Sequence, residues 1–448
     1  MENKKAAIVG AGITGLVTAY KLQEAGLDAE LYEKNSAPGG TMKTVNADGW
    51  QVEYGPNTLL LKDRMVKDFL EDTGLANELI TANPDAEKRF ILKNGKLEPL
   101  PASFLGAIGT PLFSFKAKLR VLAEPFISKS NNPDQTVAEF VARRLGSEIL
   151  DYAINPFVAG IFANNPDSLS LRHSFPIMHH LEQEYRSLIT GSFSGAKKRK
   201  AEGRIPRELI SFKGGIQQLP NVIASKLRSI HFNNEILSIE KRLEGWYLIS
   251  ENKQTGPFET VILNTPLHKW SSEFLSMDKE VLKSIRSVNY PPLSVLCLGF
   301  KKKDVAHPLD GFGFLVPEKE NRSILGGLFS STLFNNRAPE DHDLLTIFVG
   351  GGRQPKFASL ETDKLLPMVL DELHDILGIK GEPVFIDHIY WPMSIPAYHV
   401  GYDDVLKTFD RIEIDNPGLF IAGNFRNGIS VPDCIMNGIR LADRVLQN

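Results

Sequence analysis

AAIVGAGITGLVTAYKLQEAGLDAELYEKNSAPGG, residues 6–40, divides into a strand, a tight turn, a helix and a second strand. Ala6 to Val9 is an apolar run of the kind that forms a buried parallel strand. Gly10, Gly12 and Gly15 follow as G-x-G-x-x-G at the strand-to-helix junction. The first glycine suits a tight turn, the second lets a pyrophosphate approach the backbone, and the third lets helix and strand pack closely. A helix from about Thr14 to Ala25 directs its N-terminal N–H groups and positive dipole end at that pyrophosphate. Asp28 to Tyr32 returns as a strand, and Glu33 ends it 18 residues after Gly15. A carboxylate there accepts ribose hydroxyls and repels a 2′-phosphate. The unit predicts a dinucleotide site. The plainer reading is a glycine-rich turn that only packs a helix on a sheet.

The surrounding composition is that of an ordinary globular chain: 448 residues, 42% hydrophobic and 23% charged, enough for two or three domains. The net charge of 51 − 54 = −3 gives no electrostatic case for nucleic acid. Two cysteines, Cys297 and Cys434, exclude a disulfide framework and a cysteine-rich metal site. The first strand starts almost at Met1, so no targeting leader is expected and the protein is expected to stay in the cytoplasm. No run of 18 apolar residues occurs, hence no transmembrane helix is expected.

After Gly40, Gln51–Tyr54 reads as a short strand, Gly55-Pro56-Asn57 as a turn, and Asp63–Thr73 as an amphipathic helix stopped by Gly74. RFILKNGKLEPLP (89–101) is a hairpin about Asn94-Gly95. From Ser103 to about Arg204 the pattern is helical with proline breaks. LISFKGGIQQLPNVIASKL (209–227) brings a glycine pair and an amphipathic helix, then strands near 230–232, 236–240, 246–250 and 260–264. A long mixed region follows to about Trp391.

The closing stretch GLFIAGNFRNGISVPDCIMNGIRLADRVL (418–446) repeats the opening logic. Leu419–Ala422 is an apolar strand, Gly423 ends it, and a helix runs from Pro432, a residue suited to a first turn, to Leu446. Gly428 permits close backbone approach. A positive helix end here suits a ring system that gains electron density on reduction, as the N1–C2=O edge of a flavin does. A plain strand–helix ending is the simpler reading.

At this point the residues resemble the FAD-containing amine oxidase superfamily, through the glycine turn with Glu33, then Gly39-Gly40, then Gly55-Pro56. RFILKNGKLEPLP, SFKGGIQQLP (211–220), GFGFLVP (311–317) and AGNFRNGISVPDCI (422–435) narrow the resemblance to protoporphyrinogen oxidases of the FAD-dependent, oxygen-using type. The motifs occur in order from residue 8 to residue 444. The resemblance implies an α/β (α+β) fold of three parts. A Rossmann-like FAD domain is assembled from the discontinuous segments 1–80, 206–272 and 395–448. A mixed-sheet substrate domain takes 81–98 and 273–394, and a helical membrane-contacting domain takes 99–205.

The resemblance implies non-covalent FAD contacts at Gly10, Ala11, Gly12, Ile13, Thr14 and Gly15 in the first loop, and at Glu33 and Lys34 after the second strand. It carries further contacts onto Gly40, Thr41, Gly55, Pro56, Asn57 and Thr58, onto Ile236, and onto Gly423, Asn424, Gly428, Val431 and Asp433. Thr41 stands where the superfamily usually has arginine and Asn57 where several relatives do; either departure can alter phosphate or flavin contacts, and neither removes the case for FAD. For the substrate, a flat apolar tetrapyrrole with two propionates, the resemblance implies Arg89 as a propionate partner. A guanidinium fork matches carboxylate geometry. Phe312, Gly313 and Leu315 match the segment over the macrocycle, and Leu328 and Phe348 two apolar positions that sandwich the rings. Read from the residues alone, Arg89 is a strand-edge arginine and the others are ordinary β-core.

The chemistry implied is hydride transfer from a meso carbon to the flavin with loss of a pyrrole proton, three times per substrate, dioxygen being reduced to peroxide. No serine–histidine–acid arrangement, metal cluster or carboxylate pair is legible, and none is needed. No general base is identifiable; His268, His399 and the pair His179-His180 read as surface or packing histidines. Residues 99–127 carry Phe104, Leu105, Ile108, Leu112, Phe113 and Phe115 among basic residues. That pattern suits an apolar face in the bilayer interface, or equally a helix in the protein's own core. The basic run at 197–200 reads as a solvated turn. The expected partners are thus a porphyrinogen and a membrane surface, with a homodimer and hand-over to the next enzyme of the pathway left open. Coproporphyrinogen III, with four propionates, is the rival substrate, and one legible arginine favours fewer carboxylates. An amine or polyene oxidase and a flavoprotein that binds a porphyrin without turnover are the remaining rival functions.

Overall fold

Strand Lys5–Val9 lies at the centre of a five-stranded parallel sheet in a computed structural model that describes residues 5–101, 106, 109–192, 194, 205–251 and 253–447. The order across the sheet is Ile230–His231, Asp28–Tyr32, Lys5–Val9, Thr260–Leu263 and Leu419–Ile421. Ile8 pairs with Leu31 on one side and Ile262 on the other. The strands read as unbroken apolar runs because both faces are covered. Ala6, Ile8, Leu31 and Ile262 pack under the helices Ile13–Glu24, Gln218–Lys226 and Val431–Leu446. Ala7, Val9, Tyr32, Val261 and Leu263 face the opposite layer. That layer is a three-stranded antiparallel sheet, residues 236–258, with the helices Lys279–Arg286 and Tyr402–Asp415.

The first and last helices cross closely at Gly438. A Cβ there would lie 2.8 Å from the Thr14 carbonyl oxygen and from Val17 Cβ. Thr18 Oγ1 donates to the carbonyls of Thr14 (2.8 Å) and Gly438 (3.1 Å), which ties the two helices at the crossing.

A second sheet of seven strands runs Phe385–Trp391, Leu293–Lys301, His342–Gly350, Ile324–Phe329, Gly313–Leu315, Arg89–Lys93, Lys96–Pro99. All neighbours are antiparallel except Gly313–Leu315 with Arg89–Lys93. Helix Thr362–Leu377 covers one face through Leu365, Val369 and Leu373 against Leu296, Leu298 and Ile347. The other face meets Trp50 and Val52 from the strand Trp50–Glu53, and Ala159 and Ala163 from helix Asn155–Phe162 and its end.

The helical segment between the hairpin and the second glycine pair is built round buried charge. Arg144, Glu124 and Glu182 are each 0% exposed. Arg144 Nε donates to Glu182 (2.7 Å), Nη1 to Glu124, and Nη2 to the Arg186 carbonyl (2.8 Å). Ser187 Oγ and the Leu188 N–H also donate to Glu124. Burial opposes ionisation of both carboxyls, but these donors outweigh it and hold them below the usual range.

The described apolar residues of 99–127 divide between core and surface. Leu112, which the sequence leaves open between a bilayer face and the protein's own core, is 0% exposed, and Phe113 is half-buried. Leu112 packs inward because its N–H is held by Thr110 Oγ1 and its carbonyl by Lys93 Nζ. The apolar surface is displaced along the chain to Phe115 (75% exposed), Leu119, Leu122 and Phe126 (87%). Phe104, Leu105, Ile108 and the basic run 197–200 lie outside the described residues.

Candidate functional site

Strand Lys5–Val9 delivers the chain into Gly10 at φ +105°, a left-handed conformation that favours glycine. A Cβ on Gly15 would stand 2.4 Å from the Gly10 carbonyl oxygen, so the third glycine does set the close packing of helix on turn. Gly12 is the N-cap of helix Ile13–Glu24, with no side-chain cap and no acid in the first turn. The leading N–H groups and positive end of the helix are therefore uncompensated from within. Gly40 faces Gly12, with only Gly12 Cα within 4 Å of a built Cβ, at 3.9 Å. The glycine strip is the cradle that a Cβ would fill, and it fits a dinucleotide pyrophosphate.

The other segments dock onto this turn. Glu33, 6% exposed, accepts from Ala11 N–H (2.8 Å) with one carboxylate oxygen, and from Asn35 N–H (2.9 Å) and Nδ2 (2.7 Å) with the other. The sequence leads one to expect a ribose on this acid; in the fold its observed contacts brace the turn. Gly39 N–H donates to the Ala11 carbonyl (2.8 Å). A Cβ on Gly55 would lie 2.1 Å from the Thr41 carbonyl oxygen, which brings Gly55–Thr58 against Gly39–Thr41. Asn57 Nδ2 is spent on the Gly55 carbonyl (3.0 Å). Lys34 and Thr41 are exposed, whereas Ile13, Thr14 and Ile236 are buried in the two layers flanking the sheet.

Sequence reasoning missed Asn264, whose Nδ2 donates to the Gly10 carbonyl (3.1 Å) and would touch a Cβ on Gly12 at 3.0 Å. Its position at the end of Thr260–Leu263, beside Val9, was the available signal. Tyr398 and Tyr402 were missed too. Tyr398 OH donates to the Asn424 carbonyl (2.7 Å) and accepts from Gly428 N–H (3.0 Å), and Tyr402 OH donates to the Phe425 carbonyl (2.7 Å). Burial pushes both phenols up, so they stay neutral donors. Gly428 makes room for Asp433: a Cβ there would lie 2.7 Å from the Asp433 side chain. Asp433 stands in the first turn of Val431–Leu446 and bonds the cap Ser430, so this helix end carries its own acid. Cys434 is buried and its thiol pushed up to about 12 by burial.

The six residues proposed for the substrate gather on the seven-stranded sheet. Paired residues share a face, so one rung presents Arg89, Gly313, Leu328, Thr346, Cys297 and Asp387 in that order. The next rung presents Ile91, Leu315, Gly326 and Phe348. Phe312, just before its strand, lies under Arg89 and packs with Leu328. A Cβ on Gly160 would meet Leu315 at 2.8 Å, which sets helix Asn155–Phe162 along the same face. This is the face turned toward the strand Trp50–Glu53 and the loop after it.

Where the strand Trp50–Glu53 ends against the seven-stranded sheet, Tyr54 OH donates to Asp387 (2.8 Å), and Trp391 Nε1 donates to the Tyr54 carbonyl (2.8 Å). Burial, with the Asp387 carboxylate beside it, raises the Tyr54 phenol. Of the histidines, His268 is lowered by burial, with Lys269 and Lys34 adding to it, and stacks edge-on against Tyr290. His399 bonds Ser287 and the Val400 carbonyl, and His180 sits 3.2 Å from Glu184. Among the described residues no group of three His, Cys, Asp or Glu is placed to hold a metal ion, and no helix is long and apolar enough to cross a membrane.

A glycine-turn parallel sheet together with a broad mixed sheet, with the chain's last strand and helix closing the first, is the architecture of a flavoprotein oxidoreductase. Residues 13–446 match the flavin containing amine oxidoreductases, and the chain belongs to that family of flavin-dependent oxidoreductases. It is 35% identical over 480 residues to protoporphyrinogen oxidase 2 of Arabidopsis thaliana, covering 100% of this chain and 94% of the relative. It is 28% identical over 460 residues to coproporphyrinogen III oxidase of Bacillus subtilis, covering 97% and 96%. A crystal structure from Exiguobacterium sp. 255-15, provisionally named protoporphyrinogen oxidase, superposes with a TM-score of 0.84 at 24% identity over 100% of both chains.

Proposed function

We propose that this chain oxidises protoporphyrinogen IX to protoporphyrin IX, with non-covalent FAD and dioxygen as the final acceptor, giving hydrogen peroxide. The observation that carries the reading is the single rung Arg89–Gly313–Leu328, flanked by Leu315 and Phe348 on the next, on the sheet face turned toward the strand Trp50–Glu53 and the loop after it. In this reading Gly10–Gly15 and Gly40 hold the pyrophosphate, Glu33 the ribose, and Gly55–Thr58 with Gly423–Asp433 the ring system. FAD bound there supplies the two-electron acceptor. Arg89 binds a propionate; Phe312, Leu315, Leu328 and Phe348 keep the macrocycle flat and exclude water. The segments 1–80, 206–272 and 395–448 serve as the FAD domain, and 81–98 with 273–394 as the substrate domain. Residues 99–205 serve as a helical domain that seats Phe115, Leu119, Leu122 and Phe126 at the cytoplasmic membrane surface, as their exposure supports. A homodimer and direct delivery of the porphyrin to the next enzyme belong to the same reading.

Coproporphyrinogen III is the second reading, favoured by the Bacillus subtilis relative. The deciding experiment offers the purified, flavin-loaded protein each porphyrinogen separately and follows porphyrin absorbance and oxygen uptake. A higher kcat/KM for protoporphyrinogen is expected. A preference for the four-propionate substrate replaces the first reading by the second, and turnover of neither overturns both.

A further inference from the structure

Behind the loop Gly55–Thr58, Glu53 and Arg337 face one another at 3.4 Å, with side chains 3% and 2% exposed. Glu53 belongs to the strand Trp50–Glu53 that runs along the seven-stranded sheet, and its alternate residues Trp50 and Val52 pack on that sheet. Glu53 alternates with these two along the strand and accepts from Thr44 Oγ1 (2.6 Å) and Ile216 N–H (2.9 Å). Arg337 Nη2 donates to Ser211 Oγ (2.7 Å), but its Nη1 is buried without a partner. Both side chains line a cavity of about 10 Å³ together with Asn57, Thr58, Ser330 and Thr346. That space is what one water needs, and the unpaired guanidinium N–H with several hydroxyls gives it bonding partners.

The cavity joins the two halves of the site. Asn57 and Thr58 belong to the loop docked on Gly39–Thr41, and Thr346 continues the rung that carries Arg89, Gly313 and Leu328. We propose that Glu53, acting through one ordered water in this cavity, receives the proton that a pyrrole nitrogen releases when a porphyrinogen is oxidised. The inference rests on the function proposed above. Each oxidation breaks a meso C–H bond and removes its hydrogen with the electron pair as hydride, which an FAD held by Gly10–Gly15 and Gly40 would accept. The N–H pair stays on nitrogen and closes a C=N bond, and the proton passes to the water while the water's own proton passes to a Glu53 carboxylate oxygen. The water is regenerated, and loss of the proton to solvent resets the carboxylate.

The electrostatics suit a group that takes up a proton near neutrality. Burial pushes Glu53 up, to about 7, against the opposing pull of Arg337, Thr44 and the Ile216 N–H. The titratable groups facing it are Arg337, which stays cationic, and Cys297 from strand Leu293–Lys301, whose thiol burial pushes up to about 12. Glu53 acts through the water, so it is a relay and not a group in contact with substrate.

The test is infrared difference spectroscopy of the flavin-loaded protein between about pH 5 and 9, paired with kcat over the same range. A carboxylic acid C=O band that fades with an inflection near pH 7 is expected, absent from E53Q. In wild type kcat rises through the same inflection; in E53Q it falls about 10²- to 10⁴-fold and becomes flat in pH, with flavin content kept. E53D, which withdraws the carboxyl by one methylene, serves if E53Q does not fold: its band and its kcat inflection should move together to a new pH. No titrating band, an E53Q profile that matches wild type, or an E53D inflection that stays put while its band moves overturns the relay and leaves the proposed function standing. A wild-type protein that oxidises no porphyrinogen removes the proposed function, and the relay with it.

Discussion

The guanidinium carbon of Arg89 lies 5.1 Å from the centre of the Phe312 ring. Stacking on the ring face holds the fork in one orientation while leaving its edge free. The group is exposed, and its hydrogen bond is a 3.3 Å contact to the Glu87 carbonyl. A charge held in place but lightly used is what a carboxylate-bearing substrate needs. Arg89→Ala should therefore lose about 1.5–3 kcal/mol of binding, or about 10- to 100-fold in kcat/KM. Most of the loss should fall on KM, since a propionate is charged in ground and transition states alike. Arg89→Lys should restore a fraction. Flavin content that falls instead would move Arg89 out of the substrate site, and the steady-state constants with a flavin assay decide it.

Gly12→Ala separates cofactor approach from folding. Gly12 has φ −66°, which alanine adopts freely, and the added methyl meets Asn264 Nδ2 at 3.0 Å, a contact that a small side-chain shift relieves. The expected protein is folded by circular dichroism and poor in flavin by visible absorbance. Gly15→Ala, with a methyl 2.4 Å from the Gly10 carbonyl, should fail at the earlier stage and melt lower.

Removing Arg144 leaves the buried Glu124 carboxylate without a cation and Glu182 with Arg143 alone, at 2.8 Å. Arg144→Met should destabilise the helical segment by about 3–5 kcal/mol at neutral pH. Glu124 and Glu182 have folded-state values below the ordinary 4.5, so their contribution is complete above that value and is lost as pH falls through the lower, folded one. Melting temperature in wild type should drop across that acid window. The Arg144→Met penalty should shrink in the same window, because protonated carboxyls no longer need the cation. A penalty independent of pH would assign the loss to packing.

Phe115 and Phe126 are the most exposed aromatic side chains of the surface that begins with helix Phe115–Leu122. Each phenylalanine moved from water into an interface gains about 1.5–3 kcal/mol. Phe115→Ser with Phe126→Ser should weaken binding to vesicles containing anionic lipid by at least about 100-fold, with unchanged turnover of detergent-dispersed substrate. Vesicle flotation that is equal for variant and parent would leave this surface without a membrane role.

The opening unit was legible because its information is local. Two-sided burial writes Ala6–Val9 as an unbroken apolar run, and the glycines mark backbone approaches within one turn. The seven-stranded sheet was not legible in the same way. Leu293–Lys301, LSVLCLGFK, is covered on both faces and shows no alternation, so neither its antiparallel neighbours nor the parallel pairing of Arg89 with Gly313 can be read from it. The substrate residues came from the resemblance; period-two spacing puts Gly313 and Leu315 on one face but says nothing about Phe348 across two strands. Asn264, Tyr398 and Arg337 escaped for a related reason. Each acts on groups distant in sequence, as Asn264 does on Gly10 and Arg337 on Glu53. Leu112 stayed open between core and surface because hydrophobicity alone does not say which side of a segment faces inward.

The crossing of the first and last helices at Gly438 imposes an order on biosynthesis. When Ile13–Glu24 emerges from a ribosome, the helix that will cover Val17 lies about 400 residues away in the chain, some 20–80 s later at ordinary translation rates of about 5–20 residues per second. The same delay separates Lys5–Val9 from the outer strand Leu419–Ile421. A nascent chain thus carries the glycine turn early but an unfinished apolar sheet for most of its synthesis. Cofactor loading becomes a post-translational event, and a holdase acting on the bare first layer, or free flavin present at release, should govern the yield of coloured protein more than any codon near the glycine turn.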